Sequence, residues 1–86
     1  MDVNKLTEQE QIEYAKRNGW ILYKIDAPSE AVQLEAVKQA GMAIREIKSP
    51  SEAVQLEAIK NNKWAIKFIE YPTEKAILFH NMLWEI

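Results

Sequence analysis

Apolar and polar positions along the chain recur with a step of 22 residues. Pro28, Pro50 and Pro72 keep that step, as do Thr7, Ser29, Ser51 and Thr73, each followed by a glutamate at Glu8, Glu30, Glu52 and Glu74. Residues 28–49 and 50–71 are identical at 13 of 22 positions, far above what unrelated segments share, so the period is real. The stretch "LTEQEQIEYAKRNGWILYKID" opens the series and "PTEKAILFHNMLWEI" closes it part-way through a unit. Fixed periods of this length mark stacked units that each bury a face against a neighbour. The pattern predicts an all-α fold: a short helical-repeat, solenoid-like array of helix-turn-helix units in a single domain over residues 1–86. The units are 6–27, 28–49, 50–71 and 72–86, three full repeats plus a terminal helix.

Each unit reads as a helix of about 11 residues, a turn and a second element of about six. The hydroxyl residue caps free N–H groups and the glutamate meets the positive end of the helix dipole. Two capping frames compete, because Thr7 with Glu10 and Ser49 with Glu52 both make the S/T-x-x-E box at different phases. At the other end, Gly19 and Gly41 suit a left-handed helix stop. Lys63 holds that phase in the third unit, so its turn must be built differently. In the second unit Val32 and Ala36 lie on one side of the helix and Leu34 and Val37 on another, with Ala31 between them, which predicts a helix sandwiched between neighbours. The second elements, "WILYKI", "MAIREI" and "WAIKFI", carry apolar residues three apart, as a short helix requires. Ala43, Ala65, Lys67 and Glu46 favour helix, while the alternation of Trp64, Ile66 and Phe68 leaves a strand open.

The phrase "PSEAVQLEAVKQAGMAIREIKSPSEAVQLEAIKNNKWAIKFIE" resembles the short-helix repeat family called domain of unknown function 4116, through Pro-Ser-Glu, Val-Gln-Leu and Ala-Val-Lys-Gln. The likeness is strong over residues 28–71 and weaker over 6–26 and 72–86. It implies an all-α repeat array of a kind found in bacteria, bacteriophages and protists, and it carries no activity or catalytic residues to transfer. Lys63 and the tryptophan-rich last unit depart from the family pattern.

Composition narrows the chemistry. The chain has 86 residues, no cysteine and a net charge of −2. Without cysteine there are no disulfides, thiolate metal sites or cysteine nucleophiles, and a cytoplasmic setting is expected. No leader or membrane-spanning stretch is evident, so no membrane partner is expected. Lysine and glutamate are interspersed, which argues against nucleic acid as a partner. His80 is the single histidine. It has no visible ligand or nucleophile partner and is expected in or beside the core. The series Lys16, Lys38, Lys60 reads as a solvated face, and Trp20 and Trp64, at one phase with Met42, read as core. No cofactor, metal site or catalytic residue is expected, and the chain is not expected to be an enzyme.

Function is then expected where the units disagree. Tyr23, Arg45 and Lys67 share one phase, Lys24, Glu46 and Phe68 the next, and Asp26, Lys48 and Glu70 another. Core phases repeat because neighbours demand it, so these variable ones should face outward. Tyr23, Arg45, Lys67, Phe68 and Tyr71 are the candidate partner-binding residues, with Phe68 and Tyr71 as aromatic anchors. In the last unit Ile77, Leu78, Phe79, Met82, Leu83, Trp84 and Ile86 cover most of the helix circumference with no following unit to bury them. Either the helix folds back on the stack or a second chain caps it, and Phe79, Met82, Leu83, Trp84 and Ile86 are the candidate oligomer or partner interface. The expected function is a non-enzymatic protein-binding module, in its sharpest form a small phage-type inhibitor that docks on and blocks a larger host protein. The alternative is a structural homo-oligomer, most simply a homodimer, assembled through the last helix.

Overall fold

The hydroxyl residues set the helix starts. In the computed structural model, which describes residues 2–84, Thr7, Ser29, Ser51 and Thr73 each accept a hydrogen bond from the backbone N–H three positions on, at 3.0–3.3 Å. An α-helix begins after each: α1 (Glu8–Arg17), α2 (Glu30–Gln39), α3 (Glu52–Asn61) and α4 (Glu74–Trp84). Only Thr7 forms a full capping box, its own N–H donating to Glu10 at 2.9 Å. The competing frame at Ser49 is not used; Ser51 is the cap of α3.

Each of the first three α-helices is followed by a six-residue 3-10 helix: η2 (Gly19–Lys24), η3 (Gly41–Glu46) and η4 (Lys63–Phe68), while a single turn, η1 (Val3–Lys5), precedes α1. There is no strand among the described residues, so the alternation of Trp64, Ile66 and Phe68 is not a strand signal. A 3-10 helix has three residues per turn, so positions i and i+3 eclipse. Leu22 with Ile25, and Ile44 with Ile47, are buried at that spacing. Six residues is long for this geometry, and neighbouring units hold it. α1 packs on α2, α2 on α3 and α3 on α4, while η2 lies beside η3 and η3 beside η4. The result is a body of 43 × 21 × 16 Å with α-helices along one side and 3-10 helices along the other. Val32, Ala36, Val37, Val54, Ala58 and Ile59 are all fully buried, as the two apolar faces of each central helix require.

Neither glycine ends its helix in the left-handed conformation; no residue among those described has a positive φ. The glycines serve a close approach instead. A Cβ on Gly19 would collide with the carbonyl oxygen of Ala36 in the next helix, and one on Gly41 would lie 2.5 Å from the carbonyl oxygen of Ala58. The glycine N–H is also taken by that next helix: Gly19 donates to Gln39 Oε1 at 2.8 Å and Gly41 to Asn61 Oδ1 at 2.7 Å. Asn61 returns a bond from its amide to the Lys38 carbonyl at 3.0 Å, satisfying one of the last, otherwise free carbonyls of α2. Asn61 alone therefore joins three elements.

Glutamine provides a second tie. Gln33 and Gln55 donate to the Pro28 and Pro50 carbonyls at 3.0 and 3.1 Å, and the buried Gln55 also accepts the Thr73 N–H at 3.0 Å. A neutral amide can donate to its own loop while accepting from the next unit. Ile77 occupies this phase in α4, where no further unit follows in the described residues.

Two substitutions separate close approach from turn geometry at Gly41. Gly41→Ala should lower unfolding free energy by about 1–3 kcal/mol through overpacking against α3. Gly41→Asn, which a left-handed stop would tolerate, should be no milder. Urea denaturation of both variants measures the difference, and a well-tolerated Gly41→Asn would contradict the packing explanation.

Candidate functional site

The period of three that buries Leu22 and Ile25 turns another face outward. Trp20 and Tyr23 are three apart on η2, Met42 and Arg45 on η3, and Trp64 and Lys67 on η4. Trp20 is 39% exposed and Trp64 49%, so these residues are not core. Repetition of a large side chain at one phase misled because a 3-10 helix places that phase on the same outer stripe as the variable one. The sequence reading therefore missed Trp20 and Trp64 as surface residues. The signal lay in Met42: buried phases in the central units keep similar volumes, whereas this one changes from indole to thioether.

The variable positions lie on or beside this stripe. Tyr23 is exposed, with Lys24 Nζ 5.5 Å from its ring centre. Arg45 from η3 reaches across to Phe68 of η4, its guanidinium carbon 5.1 Å from the ring centre. Lys67 and Lys63 both approach Trp64, at 4.5 and 5.2 Å. These stacked cations are held over π-faces. Arg45, Lys67 and Phe68 thus belong to one surface spanning two units. Tyr71 is the most exposed aromatic, at 82%, and lines a separate hollow with Lys48, Pro50, Gln55 and Glu70.

Charge, interspersed along the sequence, is sorted by the fold. The three long 3-10 helices carry Lys24, Arg45, Lys63 and Lys67 against one acid, Glu46. The α-helices carry Glu8, Glu10, Glu13, Glu30, Glu35, Glu52, Glu57 and Glu74 against Lys16, Arg17, Lys38, Lys60 and Lys75. Lys16 and Lys38 pair with Glu13 and Glu35 at 3.5 and 3.7 Å, as a solvated face predicts. By element, the α-helices are net acidic and the 3-10 helices cationic and aromatic, while the segments after the 3-10 helices add Asp26, Lys48 and Glu70.

The candidate interface on α4 divides. Phe79 is half-buried and packs on the core. Trp84 is 39% exposed, but its indole N–H donates to the Ile59 carbonyl at 2.9 Å, capping the end of α3. Trp84 thus replaces the tie that Asn61 makes one unit earlier. Met82, at 80%, and Leu83 are exposed, as are Ile77 and Leu78; Ile86 lies outside the described residues. The helix packs on α3 and η4 like the preceding units rather than folding back over the stack, which leaves Ile77, Leu78 and Met82 uncovered.

His80 stands at the phase of Ala36 and Ala58 but is half-buried rather than buried. It lines a cleft of about 290 Å³ between η4 and α4, together with Lys63, Trp64, Ile66, Lys67 and Trp84. Among the described residues no group of three or more His, Asp or Glu side chains is placed to hold a metal ion, and no helix is long and apolar enough to cross a membrane.

Trp84→Phe keeps the ring and removes the bond to Ile59. It should cost about 1 kcal/mol, with faster amide hydrogen exchange at the α3–α4 contact as the readout; unchanged exchange would show that ring packing alone holds α4. Set against known proteins, the chain matches no family model, no curated protein and no solved structure.

Proposed function

We propose that the chain is a non-enzymatic protein-binding module whose working face is the outer stripe of the 3-10 helices. One observation carries this reading. Trp20, Tyr23, Arg45, Trp64, Lys67 and Phe68 are exposed on that side, whereas the repeated positions beneath them are spent on packing. Aromatic rings with arginine are the side chains that dominate protein–protein binding energy. Pre-stacking on a ring also limits the freedom that each cation loses when a partner arrives. The mechanism proposed is occlusion, in which the narrow body lies along a larger protein and blocks or bridges it. The sharpest version of the proposal, a cytoplasmic inhibitor of a host protein, rests on the resemblance of residues 28–71 to domain of unknown function family 4116, although no family model matches the chain.

Affinity capture from the source cell with the purified chain as bait, followed by mass spectrometry, identifies the partner. The double variant Arg45→Glu, Phe68→Ser should then weaken capture by about 30-fold or more, the equivalent of about 2 kcal/mol for losing a hot-spot anchor. Its circular dichroism should be unchanged, since both side chains are exposed. Full affinity in this variant would show that the stripe is not the working face.

A second reading rests on α4, where Ile77, Leu78 and Met82 form an exposed apolar strip. Such a strip suits a homodimer assembled helix to helix. Light scattering should then give twice the chain mass for the wild type and the monomer mass for Leu78→Glu, Met82→Glu. A monomeric wild type removes this reading and leaves the stripe.

A further inference from the structure

The cleft between η4 and α4 exists because the terminal unit breaks the closing contact used by the other two. At Gly19 and Ala36, and again at Gly41 and Ala58, backbone lies directly on backbone and leaves no room for a Cβ. The same pair of phases in the last unit is Lys63 and His80. A lysine side chain cannot fit where only glycine does, and the acceptor that tied down each glycine N–H, Gln39 or Asn61, is replaced by Leu83. The contact therefore stays open, and the space holds a cleft of about 290 Å³. That is at the small end of ligand pockets, with room for a side chain or two rather than a folded element.

Its lining has a definite chemistry. Trp64, Trp84 and Ile66 supply apolar wall, and His80 a further planar ring. Lys63 and Lys67 hold their ammonium groups 5.2 and 4.5 Å from the same indole centre, so they lie no further apart than the sum of those distances. Neither forms an ion pair with a carboxylate among the described residues. A ring face steadies a cation without neutralising it, so two positive charges and two indole rings line one cleft.

We infer that this cleft is the anchor point for an acidic segment of the partner protein, with one aromatic or branched side chain seated between Trp64 and Trp84 and a neighbouring carboxylate meeting Lys63 and Lys67. This inference rests on the protein-binding reading above and names the chemistry of the partner. The sorting of charge supports it, since an acidic segment is drawn to the 3-10 side and repelled by the glutamate-rich α-helical side, which orients the encounter. Lys24 and Arg45 extend the same field along η2 and η3.

The test uses the full chain and a defined probe, the blocked peptide Glu-Asp-Phe-Asp-Glu, followed by tryptophan fluorescence. The controls are Lys-Lys-Phe-Lys-Lys and a single-stranded oligodeoxyadenylate. The acidic peptide should saturate in the submillimolar range and the lysine peptide should not. Lys63→Gln with Lys67→Gln should weaken the acidic peptide by at least about tenfold, and Trp64→Ser, also at an exposed position, should abolish binding measured by titration calorimetry. No saturable binding, equal binding of the lysine peptide, or tighter binding of the oligonucleotide would each overturn the inference. The two readings fail separately. If a captured partner is lost with Arg45→Glu, Phe68→Ser yet retained at full affinity by Lys63→Gln, Lys67→Gln, the module stands and the cleft assignment falls.

Discussion

Direct contact between a glycine backbone and the next helix is the constraint on which the rest of the structure depends. Gly19 against Ala36 and Gly41 against Ala58 bring each 3-10 helix onto the following α-helix with no side chain between them. At that separation the glycine N–H reaches Gln39 or Asn61, and Asn61 in turn caps the preceding helix. Close approach, hydrogen bonding and capping are therefore one arrangement. None survives alone, because an extra methyl group would push the helices out of bonding range.

Where that constraint is relaxed, the surface changes character. The last unit has Lys63 for glycine, His80 for alanine and Leu83 for the polar acceptor. Its helix is held instead by the Trp84 indole on the Ile59 carbonyl and by Ala76 and Phe79 against the core. The exchange opens a cleft that has two tryptophans in its wall. Scaffold and candidate site are thus made from the same phases of the repeat, closed in two units and open in the third.

The stripe of aromatic and cationic residues follows from a simpler geometric fact. An element with three residues per turn, packed on one side by its neighbours, sends every third side chain the other way. Trp20 and Tyr23, Met42 and Arg45, and Trp64 and Lys67 are placed there whatever their chemistry. Their side chains are then free to vary, which makes this the face where a binding specificity can be written without disturbing the core.

Much of this was legible in the chain itself. The step of 22 residues, the hydroxyl caps, the all-helical class and the outward variable phases all follow from local rules, because a cap or a helix period involves residues only three or four apart. The sequence by itself also marked the last unit as different, through Lys63 and the apolar run after Ala76. What only the tertiary structure decided involves residues about 20 apart. Gly19 reads as a helix stop until Ala36 is seen against it, and Trp84 as an open interface residue until its bond to Ile59 is seen. Trp20 and Trp64 read as core until the 3-10 period turns them outward. For Gly19 and Trp84 the deciding contact comes from a different unit, and local spacing carries no information about how close two units lie.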